Sequence, residues 1–176
     1  MEGMYAGVEG SGAEDAWWET ALHIEHNASS AVPFSGGATD VFKCFDQICR
    51  PLLYYLATVA GIPRRILDAY RRYQENADIY NSLGLGLGKP RRRPNGIPQG
   101  CPLSMLFVAL LLRPWMAYMH TLNVKPRTLA DDLLLFAAGH DHIGRIIHAT
   151  ECTHTYLSTM GAKVATSKSI LFASCN

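Results

Sequence analysis

Long apolar runs are scarce in this 176-residue chain, and nothing at its start reads as an export leader. The most apolar stretch, "PLSMLFVALLL", lasts about ten residues before Arg113 and Pro114 interrupt it, against the roughly 20 that a bilayer span needs. It reads as a buried helix, and no membrane partner is expected. Cysteine is equally sparse as a framework. Cys44, Cys49, Cys101, Cys152 and Cys175 are scattered, which argues against structural disulfides and for a reducing intracellular setting, nucleus or cytoplasm left open.

Net charge is almost missing too, at +1, but its distribution is uneven. Residues 1–50 hold two Lys/Arg against eight Asp/Glu, residues 51–100 eight against three, and residues 101–176 six against four. The basic middle could face a polyanion, or it could be a solvated helix and loop. With 48% hydrophobic residues, the chain suffices for one domain with a real core and is short for a two-domain enzyme.

Local patterns predict the elements. After a glycine-rich start, Ser11 and Glu14 have capping-box spacing ahead of a helix reaching about residue 29. "VPFSGGATDVFK" should contain a strand entering Asp40, weakened by Gly36 and Gly37. "QICRPLLYYLATVAG" and "IPRRILDAYRRYQ" read as helices divided at Gly61 and Pro63, and "ADIYNSLGLGLGKPRRRPNG" as extended chain with a basic loop. A long helix fits from Pro102 to about Leu122, then short strands around "TLADDLLLF", an amphipathic helix over 141–160 closed by Gly161, and a last extended segment, "AKVATSKSILFA". Helices interleaved with antiparallel hairpins make an α+β domain.

Two adjacent carboxylates, Asp131 and Asp132, stand against an apolar run. Either they form the turn of a hairpin, since Asp is a common turn former, or they hold a cation that relieves their mutual repulsion. On a strand only one of the two would point at a given site. A third carboxylate, Asp40, lies ninety-odd residues upstream. If its strand lies beside the hairpin, the cluster could share divalent ions for phosphoryl transfer, hard ones such as Mg²⁺ or Mn²⁺. Between them, "NGIPQGCPLS" at 95–104 is a Gly-x-Pro-Gln-Gly turn leading into the buried helix. Its glycines permit close backbone approach, and Gln99 can both donate and accept hydrogen bonds.

In this order the segments resemble the palm of reverse transcriptases, most closely those of non-LTR retrotransposons and group II introns. "DVFKCFD" resembles the first motif, "NGIPQGCPLS" the second, "LADDLLLF" the third and "GAKVATSKSILF" the fourth, over roughly residues 4–176. The resemblance implies an antiparallel sheet packed on helices, with residues 1–37 an incomplete fingers segment, 38–176 the palm, and a thumb expected to follow. It implies an RNA-directed DNA polymerase, a nucleotidyltransferase of retroelement origin that adds dNTPs to a DNA or RNA primer on an RNA template. Asp40 and Asp131 would be the principal metal ligands and Asp132 a weaker one. Phe45 would crowd the sugar 2′ position, with a core Phe the alternative. Gln99 and Gly100 would line the nucleotide and template pocket. Lys168 would neutralise or protonate the leaving pyrophosphate, or else be a solvated strand-end lysine. Ser104 and Asp46 would be structural.

The chain departs from the family where Leu129 replaces a commoner aromatic and "SGGAT" replaces an apolar run before Asp40. A catalytically inactive relic, or a nucleic-acid-binding module keeping the fold, is the rival reading. "KPRRRP" could contact phosphates. His148, Cys152 and His154 lack a convincing fourth ligand for zinc. One indole of Trp17 and Trp18 should pack and the other stay partly exposed.

Overall fold

A computed structural model describes residues 3–6 and 8–174. Cys175 and part of the glycine-rich start lie outside the described residues. The central sheet has four strands: β1 (Phe34–Asp40), β4 (Lys125–Leu129), β5 (Asp132–Ala138) and β6 (Ile170–Ala173). They run in the order β4-β5-β1-β6, antiparallel throughout. β2 (Ser82–Leu83) and β3 (Gly86–Leu87) form a separate minimal hairpin, where the sequence suggested only extended chain. At that hairpin Leu83 and Leu85 stand almost fully in solvent.

Strand periodicity divides the two faces of the sheet. Leu133, Leu135 and Ala137 of β5 are buried in the main core with residues of α5 (Pro102–Thr121) and α6 (His142–Thr159). The alternate residues face α1 (Ala13–Ser29), whose His23 ring lies 6.0 Å from that of Phe136. Arg127 on β4 is buried under α1, with its Nε 3.6 Å from Glu19 Oε2.

α5 runs through Arg113 and Pro114, as expected of a helix from Pro102 to about Leu122, and reaches 20 residues with mean hydropathy 1.4 over its most apolar window. That is long and apolar enough to cross a bilayer by length and composition. Its Phe107, Leu111, Trp115 and Met119 are nevertheless at most 3% exposed, as in a core helix. Beyond it lie the short α2 (Cys44–Gln47), then α3 (Arg50–Val59) and α4 (Arg64–Asn76), parted by Gly61 and Pro63 as expected. Tyr70 of α4 packs its ring 4.8 Å from Phe107.

Three expectations need correcting. Trp17 and Trp18 are both exposed, at 71% and 62%, their rings edge to face 6.4 Å apart, so neither indole is packed into the core. The N-cap of α1 is Gly12, not Ser11, and its N–H donates to Asp15 Oδ2 at 2.7 Å. Ser11 is drawn back by its own N–H bond to the Val8 carbonyl, which leaves Gly12 extended at the helix entrance. The glycine pair, in turn, does not weaken β1, a seven-residue strand paired on both sides. A Cβ on Gly36 would collide with the Phe172 ring, and one on Gly37 would lie 2.7 Å from Leu171 Cδ2. The missing side chains are the space into which β6 packs.

Candidate active site

β1 and β5 are registered so that Asp40 and Asp132 are directly opposed. Cross-strand partners share a face, so their carboxylates are neighbours. Asp131 occupies the two-residue turn with Ala130, whose φ of 56° is left-handed, between the paired Leu129 and Asp132. The doubled carboxylate is thus a hairpin turn and part of an acidic cluster at once.

Its electrostatics follow from the crowding. Burial pushes the Asp132 carboxyl above the usual range, and the charges of Asp131 and Asp40 push it further, with Lys168 pulling back. Cys44 senses the same two carboxylates: burial first, then Asp131 and Asp40, raises its thiol to about 12. Lys168 Nζ lies 3.3 Å from Asp40 Oδ2, the lysine largely exposed and the carboxylate mostly buried. Among the described residues, no group of three His, Cys, Asp or Glu side chains is arranged to hold a metal ion. In donor chemistry the cluster still suits a hard divalent cation: all three side chains are carboxylates, and their repulsion is what such a cation would relieve.

Asp131 also faces a second feature, an open cleft of about 530 Å³ lined by Phe45, Gln99, Gly100, Ser104 and Asp131. Phe45 is only half-buried there, and Gln99 is exposed. Asp132 instead lines a groove of about 340 Å³ between α1 and the β4–β5 hairpin. Lys168 and Asp40 do not line the cleft. The structure therefore brings together Asp40, Asp132 and Lys168 on one side, and Asp131, Phe45, Gln99 and Gly100 on the other, joined where consecutive residues of the hairpin diverge.

Backbone contacts hold the cleft open. Gly96 N–H donates to the Ile48 carbonyl and Ile97 N–H to that of Phe45, both at 2.8 Å. Ser104, 2% exposed, donates its hydroxyl to the Pro98 carbonyl at 2.7 Å and fixes the turn over the start of α5. Asp46 accepts from Arg93 at 3.1 Å, which ties the basic loop to the segment after β1.

Sequence reasoning passed over Arg50. Its side chain is 2% exposed and donates to the backbone carbonyls of Gln74 at 2.6 Å and of Arg93, with Glu75 Oε1 3.5 Å away. It joins α3, the end of α4 and the basic loop. The available signal was an arginine set inside an apolar stretch just before Pro51, which looked like an ordinary helix start.

Residues 19–175 match the family model described as reverse transcriptase (RNA-dependent DNA polymerase). The chain belongs to the reverse transcriptase family. The curated proteins give no match to it. Among solved structures, apo telomerase from Candida tropicalis truncated from its C-terminal domain is similar at 15% identity and a TM-score of 0.67, over 99% of this chain and 36% of that one. Telomerase from Candida tropicalis in complex with a TWJ fragment of telomeric RNA is similar at 13% identity and a TM-score of 0.68, over 97% and 30%. The corresponding Candida albicans complex gives 16%, 0.61, 91% and 30%. This reverse transcriptase chain thus spans about a third of the length of those telomerases, and at such identities the likeness establishes the fold, an antiparallel sheet packed on helices.

Proposed function

We propose that this chain carries the nucleotidyl-transfer palm of an RNA-directed DNA polymerase of retroelement origin, extending a DNA or RNA primer with dNTPs on an RNA template. The observation that carries the reading is the opposition of Asp40 and Asp132 in the β1–β5 register, with Asp131 in the adjoining turn facing the Phe45–Gln99 cleft. In this reading residues 1–37 form a fingers segment and 38–176 the palm, the division lying within β1.

Asp40, Asp131 and Asp132 would hold Mg²⁺ or Mn²⁺, which when bound activates the primer 3′-hydroxyl and offsets charge on the leaving pyrophosphate. The chain's own groups do the rest. Phe45, half-buried at the cleft, crowds a ribose 2′-hydroxyl, while Gln99 and the side-chain-free Gly100 meet the incoming nucleotide and template. The Lys168 ammonium, already beside the carboxylates, neutralises or protonates pyrophosphate. Arg91 and Arg92, exposed on the loop tied down through Arg93, can meet template phosphates.

A second reading, a palm fold kept as a nucleic-acid-binding module without catalysis, is favoured by the present pairing of Asp40 with Lys168, which neutralises that carboxylate. RNA-templated primer extension with Mg²⁺ or Mn²⁺ separates the two, with Asp131→Asn as control because it keeps shape and removes charge. Incorporation above the control supports the polymerase. RNA binding with no incorporation supports the module.

A further inference from the structure

The segment carrying Lys168 is tied to the end of β1 more closely than a solvated strand end requires. Phe42 N–H donates to the Lys163 carbonyl at 2.8 Å, and Lys163 N–H to Gln47 Oε1 at 2.9 Å. Ala165 N–H donates to the Asp40 carbonyl at 2.8 Å. Ser169 closes the circuit. Its hydroxyl accepts the Asp40 N–H at 3.3 Å and donates to the Ala165 carbonyl at 3.0 Å. Inside that ring lies a single 3₁₀ turn, Thr166–Lys168, whose last N–H donates to the same Ala165 carbonyl at 2.9 Å.

Lys168 cannot owe its place to packing, since its side chain is 74% exposed and its ion-pair partner is Asp40. A flexible lysine held by one exposed ion pair would spend much of its time elsewhere. What limits its reach is the backbone at 165–169, and the side-chain contact closing that backbone on Asp40 is the Ser169 hydroxyl. The Phe172 ring, seated on the bare backbone of Gly36, opposes sliding of β6 along β1 and keeps Ser169 in register. The "SGGAT" departure from the family pattern thereby acquires a role.

We propose that Ser169 is a positioning residue for nucleotidyl transfer, pinning the Lys168 turn to Asp40 so that the ammonium stands at the carboxylate cluster. This rests on the roles given to Asp40 and Lys168 under Proposed function. Threonine at 169 retains the hydroxyl and suits the extended backbone there, φ −91° and ψ 138°. Alanine removes the hydroxyl alone.

The experiment compares the whole chain with Ser169→Ala, Ser169→Thr and Lys168→Met. By amide hydrogen exchange, Ser169→Ala should speed exchange at Asp40 and Lys168 about tenfold, leave Leu133 and Leu135 unchanged, and raise acetylation of Lys168 relative to Lys125, while Ser169→Thr stays near wild type. Unchanged exchange and acetylation in Ser169→Ala would overturn the inference whatever the activity. In primer extension, Ser169→Ala should lower kcat about as much as Lys168→Met with KM little changed, and the double variant should be no worse than Lys168→Met alone. Independent, additive losses would also overturn it. A wild-type chain that extends no primer, yet shows the exchange and acetylation responses, would sink the polymerase reading and leave the pinning of Lys168 to Asp40 by Ser169 intact.

Discussion

A Cβ on Gly96 would lie 2.8 Å from the carbonyl oxygen of Phe45, and the Gly96 backbone sits at φ +88°. The second motif therefore touches the first through bare backbone. Gly96→Ala combines left-handed strain with overpacking against main chain, and it should destabilise the fold by about 2–4 kcal/mol. Urea denaturation checks this. Gly100, also left-handed but with open space around its Cβ position, should cost only about 1 kcal/mol on the same change.

Arg50 and Glu75 offer an asymmetric pair. Arg50→Ala strips the donors from the Gln74 and Arg93 carbonyls and should cost about 3 kcal/mol or more. Glu75→Gln should cost under about 1 kcal/mol, because that carboxylate is half in water. Thermal unfolding of the two variants, measured together, tests the difference.

Asp132 predicts a pH dependence. Its folded carboxyl titrates above the ordinary 3.8, so between that value and the raised one the folded state holds the extra proton. This group's contribution is therefore most favourable in acid and is lost as pH rises through the raised value. Asp132→Asn should be more stable than wild type at neutral pH, and the gain should vanish below the ordinary carboxylate range. A gain that grew toward acid pH would contradict the sign.

Phe45 bounds the cleft beside Gln99 and Asp131. If it crowds the sugar, Phe45→Val should raise ribonucleotide incorporation relative to deoxynucleotide by about tenfold or more, since a clash is being removed. Competition between dNTP and rNTP in primer extension measures it. Unaltered discrimination would make Phe45 a packing residue.

Much of this was legible in the chain itself. The apolar run entered at Pro102 and the amphipathic pattern of 141–160 marked the two core helices, and the paired aspartates, as turn formers, marked the hairpin, because such signals are local. Four ordered motifs led to the family. Gly36 and Gly37 misled, since a glycine pair reads as weak strand until Phe172, far along the sequence, is seen filling the space. Arg50 was hidden for the same reason. Its acceptors are main-chain carbonyls, which carry no residue identity, and they lie 24 and 43 positions away. The division of the carboxylates between groove and cleft likewise depends on which residue of the turn precedes the first ladder pair, a matter of one position.

That two-residue turn also governs where the chain can change length. One residue added between Leu129 and Asp132 would slip β5 against β4 or force a bulge, and a slip turns every β5 side chain to the opposite face, carrying Leu133 and Leu135 out of the core and Asp132 away from Asp40. At Gly84 and Leu85 the situation is reversed, because β2 and β3 pair with each other apart from the central sheet and the tip between them stands in water. Relatives of this chain should therefore vary freely in length around 84–85 and hold a fixed spacing across 129–132.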